Sequence, residues 1–209
     1  MKIAVVCANG KAGRLIVKEA VDRGLDVTAI VRGENRSAAK NTLLKDLFDL
    51  TAVDLKDYDV VVDAFGAWTP EDLPQHSSSL MHLCDILSGT NARLLVVGGA
   101  GSLYVDARHD AQVMDGSDFP EAFRPLARAQ GMALEKLRAR SDVKWTFISP
   151  ACDFQAEGER TGKYLLGGEE LTLNARGESM ISYADYALAL VDEIVSGSHI
   201  GQRICAVRA

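Results

Sequence analysis

Short apolar runs, each closed by a small or turn-forming residue, set the rhythm of the chain. Ile3 to Cys7 is continuous and rich in Ile and Val, and Ala8-Asn9-Gly10-Lys11-Ala12-Gly13 breaks it. From Arg14 to Arg23 the pattern turns helical: Ala12, Ile16 and Ala20 share a stripe with Val17 and Val21 beside it, and Gly24 supplies the stop. Val27 to Val31, Asp59 to Phe65 and Arg93 to Val97 are further runs of this kind, the last two ended by Gly66 and by Gly98-Gly99. Runs without polar alternation read as strands covered on both faces. A short third-strand region is read at Leu50 to Val53. Between the later strands Leu80, Leu83, Cys84 and Leu87 recur at helical spacing, the apolar face of a crossover helix. A helix at about Pro125 to Ala139, a strand at Trp145 to Ile148, a helix at Tyr183 to Ile194 and a last strand at Arg203 to Val207 complete the series. Such alternation predicts an α/β protein with a doubly wound parallel sheet.

Residues 153–180 break the rhythm with many Gly and Glu and two strand-like pieces, Lys163 to Leu166 and Leu171 to Leu173. They are expected to form a small C-terminal, substrate-covering insertion over the carboxyl ends of the strands, where open α/β sheets bind ligands. The whole chain, 1–209, then reads as one domain, a size too small for a separate catalytic module. A formal net charge of −6 argues against a nucleic-acid footprint, which needs clustered basic surface. Cys7, Cys84, Cys152 and Cys205 lie far apart without a C-x-x-C pair, so they read as small buried hydrophobes in a reducing compartment. The six apolar residues Ile3 to Ala8 are too few for a signal core, and no run approaches a membrane span, so a cytoplasmic protein is expected, monomer or homodimer.

The first break carries chemistry. Cys7-Ala8-Asn9-Gly10-Lys11-Ala12-Gly13 has G-x-x-G-x-x-G spacing, with Cys7 in place of the first glycine. Between a strand and a helix such a turn lets the backbone approach a pyrophosphate while the helix-start N–H groups face the anion. A bare strand-to-helix turn gives the same pattern. Asn9, Gly10, Lys11, Ala12 and Gly13 are therefore candidate cofactor-binding residues in a Rossmann-type domain. Arg32 closes the second strand where an acidic residue would take a ribose 2′-OH and an Arg a 2′-phosphate. With Arg36 it favours NADP over NAD, although Glu34 could serve an NAD ribose. Asp54 could accept from an adenine amino group or else be a helix N-cap before Asp57-Tyr58. Ala64, Phe65 and Gly66 set small groups beside the cofactor's ribose, and the nicotinamide is expected between Gly98-Gly99 and Ser149-Pro150.

Four segments carry a family resemblance: Ala8 to Gly13, Arg93 to Val105 (Arg-Leu-Leu-Val-Val-Gly-Gly-Ala-Gly-Ser-Leu-Tyr-Val), Gly158-Glu159-Arg160-Thr161-Gly162-Lys163-Tyr164, and Ile181-Ser182-Tyr183-Ala184-Asp185-Tyr186-Ala187. Together they resemble the NADH-flavin reductase group of atypical short-chain dehydrogenases/reductases, relatives of biliverdin reductase B and of NmrA-like NAD(P)-binding proteins. The resemblance spans essentially the whole chain and implies a Rossmann fold, NAD(P)H and a flavin or quinone-like acceptor as substrate. Ketone-reducing members use a Tyr-x-x-x-Lys pair as proton donor. In the register of the helix that resembles theirs, Ala127 and Gly131 occupy those places. Flavin reduction asks less, because N5 takes hydride directly, the product is delocalised and water can supply the proton.

Ser102 resembles the Ser beside a substrate carbonyl in related enzymes, and Tyr104 is the nearest proton donor, so both are candidate catalytic residues. No metal is expected: His76 and His82 are six apart, His109 stands in a polar loop, and Asp106, Asp110, Asp115 and Asp118 lack a calcium-loop spacing. Trp68 and Phe119 either flank the acceptor pocket or pack. The alternative to an enzyme is a non-catalytic NmrA-like sensor of NAD(P) redox state.

Overall fold

A computed structural model describes residues 1–209. The elements are β1 (Lys2–Val6), α1 (Lys11–Asp22), β2 (Asp26–Val31), β3 (Asn41–Leu44), α2 (Ala52–Leu55), β4 (Val60–Asp63), α3 (Gln75–Leu87), β5 (Arg93–Val97), α4 (Arg124–Arg138), β6 (Lys144–Pro150), β7 (Asp153–Gln155), β8 (Tyr164–Gly167), β9 (Met180–Ser182), α5 (Tyr183–Ser196) and β10 (Gln202–Arg208). Eight strands make one sheet in the order β3-β2-β1-β4-β5-β6-β10-β8, while β7 and β9 pair separately. Every pairing in the large sheet is parallel except that of β8 with β10. The strand order reverses between β1 and β4, which makes their carboxyl ends the switch point where doubly wound sheets hold ligands. This is a Rossmann-like α/β fold.

The apolar runs fill two layers because neighbouring strand residues face opposite sides. In β1, Ile3 and Val5 join α1 and α5, whereas Ala4 and Val6 join the α3 and α4 side. The predicted stripes pack as expected: Ile16, Val17 and Ala20 of α1 meet Ala187, Leu190, Val191 and Ile194 of α5 in one core, and Leu80, Leu83, Cys84 and Leu87 of α3 join Ala133, Leu134 and Leu137 of α4 in the other.

Two expectations are corrected. The third strand is Asn41–Leu44, paired with Thr28 to Val31, and not Leu50 to Val53. Thr51 and Asp54 form a reciprocal capping box that starts α2 there, so Leu50 reaches the core from a turn and Val53 faces solvent. Leu171 to Leu173 forms no strand either. Within residues 153–180, β7 pairs with β9, and the middle carries β8 round the rim to pair with β10. An uncovered β10 would leave a row of open N–H and C=O groups, and β8 satisfies it.

Candidate functional site

Cys7 follows β1 with φ +59°, the left-handed conformation that a glycine usually supplies. Its carbonyl accepts from Gly10 N at 3.0 Å, which closes the turn without the first glycine. Gly13 cannot carry a side chain: its Cβ would stand 2.8 Å from Cys7 O and 3.0 Å from Ala8 Cα. Gly10 is almost as confined, with Cys7 O at 3.3 Å and Ala64 O at 4.0 Å from a Cβ. The first turn of α1 holds no acidic residue and Gly10 contributes no side-chain cap, so the leading N–H groups are open to an anion. Lys11 Nζ lies beside this opening, 4.0 Å from Glu157 of the 153–180 segment.

Asn9 serves as a brace. Its side chain donates to Glu34 O at 2.8 Å and accepts from Arg36 N at 2.7 Å, which holds the loop after β2 against the glycine turn. Arg32 opens that loop with its side chain 83% exposed, and its nearest acid is Asp46 at 3.8 Å. Asp54 does not join this group. Its carboxylate takes Thr51 N, Thr51 Oγ1 and Lys45 Nζ, each at 2.7 Å, and these bonds hold its pKa down at about 2. The acid at the carboxyl end of β3 is Asp46, which sequence reasoning missed because β3 itself carried no apolar signal.

At the carboxyl end of β4 stands Asp63, 4% exposed, a second residue not anticipated. One carboxylate oxygen accepts from Phe65 N at 3.0 Å, and burial raises its pKa to about 6. A charged residue closing an otherwise apolar strand was the signal. Ala64, Phe65 and Gly66 follow as expected, and His76 bonds through Nε2 to Ala67 beneath them. Burial lowers the pKa of His76.

The glycines after β5 serve packing. A Cβ on Gly98 would collide with the Phe147 ring, one on Gly99 with the Gln130 side chain, and one on Gly101 with Ala127 Cβ at 2.5 Å. Ser149 is wholly buried, donating to Gly99 O at 2.8 Å and accepting from Arg203 Nε at 3.0 Å; its neighbour Pro150, also buried, ends β6 opposite Ala206. Ser102 is buried as well and faces Arg203, whose guanidinium meets both Ser102 O and Oγ. Tyr104 is drawn toward the β8 side of the sheet, its N–H on Glu169 O and its carbonyl under Leu171 N, with its ring stacked on His109. Ser149 and Ser102 are thus tied to Arg203, and Tyr104 is held through its backbone by Glu169 and Leu171. Arg203 is a charge on β10 that burial disfavours, and it draws Ser149 and Ser102 to itself.

The missing Tyr-x-x-x-Lys pair has a steric counterpart. Ala127 packs against Gly101, and a Cβ on Gly131 would lie 3.3 Å from Ser102 Cβ, so α4 sits where larger side chains would need room. The two C-terminal motifs form one unit: Asp185 accepts from Thr161 N at 3.0 Å, from Thr161 Oγ1 at 2.6 Å and from Gly162 N at 2.8 Å. Of the cysteines, Cys84 and Cys205 are buried as expected, but Cys152 is exposed and Cys7 half-buried; all four are free thiols. No helix is long and apolar enough to cross a membrane.

Comparison with known proteins agrees with the geometry. A family model described as NAD(P)H-binding matches residues 7–195. The Bacillus subtilis (strain 168) protein YwnB is 44% identical over 210 residues, covering 99% of this chain and 98% of YwnB. A Streptococcus pneumoniae protein provisionally named an NADH-flavin reductase has a crystal structure that superposes with TM-score 0.98 at 54% identity, over 100% of both chains. A Bacteroides thetaiotaomicron protein provisionally named an epimerase superposes with TM-score 0.84 at 31% identity, covering 99% of this chain and 96% of the other.

Proposed function

Because the chain belongs to the NAD(P)H-binding family, we propose that it is an NAD(P)H-dependent oxidoreductase whose hydride acceptor is a flat, delocalised ring of the flavin or quinone class. The observation that carries this reading is α4: Ala127 and Gly131 are packed against Gly101 and Ser102 where an acid–base pair would stand, so the site suits an acceptor that needs no protein acid. The provisional name of the pneumococcal relative points the same way.

The open N–H groups of Lys11 and Ala12 hold the pyrophosphate, Gly10 keeps the turn closed on the Cys7 carbonyl, and Gly13 lets α1 come close enough to present them. Asn9 braces the loop from which Arg32 and Arg36 bracket a 2′-phosphate, giving a preference for NADP over NAD. Asp46, rather than Asp54, borders the adenosine half. Ala64, Phe65, Gly66, Gly98 and Pro150 border the nicotinamide half, with the backbone of Gly99 behind them. Bound there, NAD(P)H supplies a hydride, so that NAD(P)H, an oxidised flavin and a proton yield NAD(P)+ and the dihydroflavin. The chain's part is to align two flat rings, and water delivers the proton. Four free thiols suit the reducing cytoplasm.

NADPH oxidation followed with added FMN, riboflavin or menadione tests the reading, and stimulation by at least one of them is expected. Tight nucleotide binding with no turnover on any acceptor would favour the sensor instead. Arg32→Ala should weaken NADPH about 10- to 100-fold while changing NADH little, as befits loss of one charge-assisted contact. Equal losses for both nucleotides would refute the phosphate assignment.

A further inference from the structure

The loop that leaves β4 carries a side chain with no role in holding the nucleotide. Ala64-Phe65-Gly66-Ala67-Trp68 emerges at the switch point, next to the glycine turn that approaches Ala64 O. At its tip Trp68 is 70% exposed, although indole gains more from burial than almost any other side chain. It leans on Gly66, where a Cβ would stand 3.7 Å from Nε1 and 4.0 Å from Cε2 and Cζ2. None of the close aromatic pairs of the molecule includes Trp68.

The loop beneath it is fixed. Asp63 holds Phe65 N, and His76 holds Ala67 through its carbonyl at 3.1 Å. The Phe65 ring sets its edge on His76 with centroids 5.5 Å apart at 79°. Beyond the tip, Thr69 Oγ1 bonds Asp72 at 2.7 Å and Leu73 N returns to Thr69 O at 3.1 Å, so both ends of the loop are tied. An aromatic ring held open on a rigid loop beside a nucleotide crevice is a surface prepared for another ring, because little ordering entropy remains to be lost on contact.

We propose that Trp68 is the stacking surface for the ring of the hydride acceptor. The proposal rests on the oxidoreductase reading above and adds a criterion of choice: affinity rises with ring area, so a tricyclic isoalloxazine is preferred to a single-ring quinone. It also accounts for an indole left in solvent on a loop tied at both ends.

The test titrates riboflavin into protein saturated with NADP+, where no reductant is present, and follows quenching of riboflavin emission. Wild-type protein should quench it and Trp68→Phe should retain most of the affinity. Trp68→Leu should lose about tenfold in riboflavin affinity. NADP+ affinity and the thermal midpoint should stay unchanged in both variants, since the side chain is exposed. Riboflavin bound equally well by Trp68→Leu overturns the proposal and leaves the oxidoreductase reading standing. Parallel loss of NADP+ would assign the indole to the nucleotide, again overturning it. Wild-type protein that binds NADP+ yet neither binds riboflavin nor oxidises NADPH with any flavin or quinone overturns both.

Discussion

A cysteine with φ +59° is costly, because a Cβ in the left-handed region crowds the following carbonyl by about 1–2 kcal/mol. Cys7 accepts that conformation to point its carbonyl at Gly10 N, and burial keeps its thiol neutral by raising the pKa to about 12. Cys7→Gly should therefore change stability by no more than about 1 kcal/mol, relief of strain offsetting the lost side chain and the added chain entropy. Cys7→Val should lose more than about 2 kcal/mol, since a β-branched residue resists this region most. Urea unfolding of the two variants, with NADP+ binding alongside, checks the contrast. The glycine turn was legible from spacing despite the cysteine, because Gly10 and Gly13 are the positions where backbone atoms crowd a Cβ. Of the two roles open to Asp54 the structure shows the one at a helix start, with Thr51 rather than Asp54 as the cap of the T-x-x-D box, and the carboxylate is consumed there.

Elements were legible in proportion to their burial. β1, β4, β5 and β6 announced themselves as apolar runs because both faces are covered, whereas β3 is a rim strand with mostly exposed side chains. Such a strand has no reason to alternate, and its only specification is pairing with β2. The 153–180 segment was recognised as irregular, but its route depends on contacts distant in sequence. Chief among them is Asp185 on α5, which gathers the turn at Thr161 and Gly162, the latter at φ +75°. Asp185→Ala should release that turn and cost about 1–2 kcal/mol, since Thr161 N, Thr161 Oγ1 and Gly162 N lose their acceptor. Limited proteolysis between residues 156 and 163 should become much faster, while cleavage elsewhere stays slow. Equal resistance of the variant and the parent would show that other contacts hold the segment.

At the scale of the whole molecule, stability should carry a signature of Asp63. Its pKa rises from 3.8 to about 6 on folding, so the native state holds a proton that the unfolded chain releases. This contribution is present below pH 3.8 and is lost as pH climbs to about 6, a difference of about 3 kcal/mol. Asp63→Asn keeps an acceptor for Phe65 N without the charge. It should stabilise the protein at pH 8 by up to about 3 kcal/mol and change little at pH 4, as denaturant midpoints at the two pH values would report. Global topology has a further consequence, in the order of events during synthesis. β8 lies at the rim and its one neighbour in the sheet is β10, made 35 residues later once α5 is complete. Until β10 has slid in between β6 and β8, the nascent chain has a six-stranded parallel sheet whose β6 edge is an open row of N–H and C=O groups, with the Tyr164–Gly167 arm unpaired. Slow translation through residues 168–201 would therefore prolong an intermediate with an open sheet edge, and a chaperone that shields unpaired strands should engage the chain in that interval.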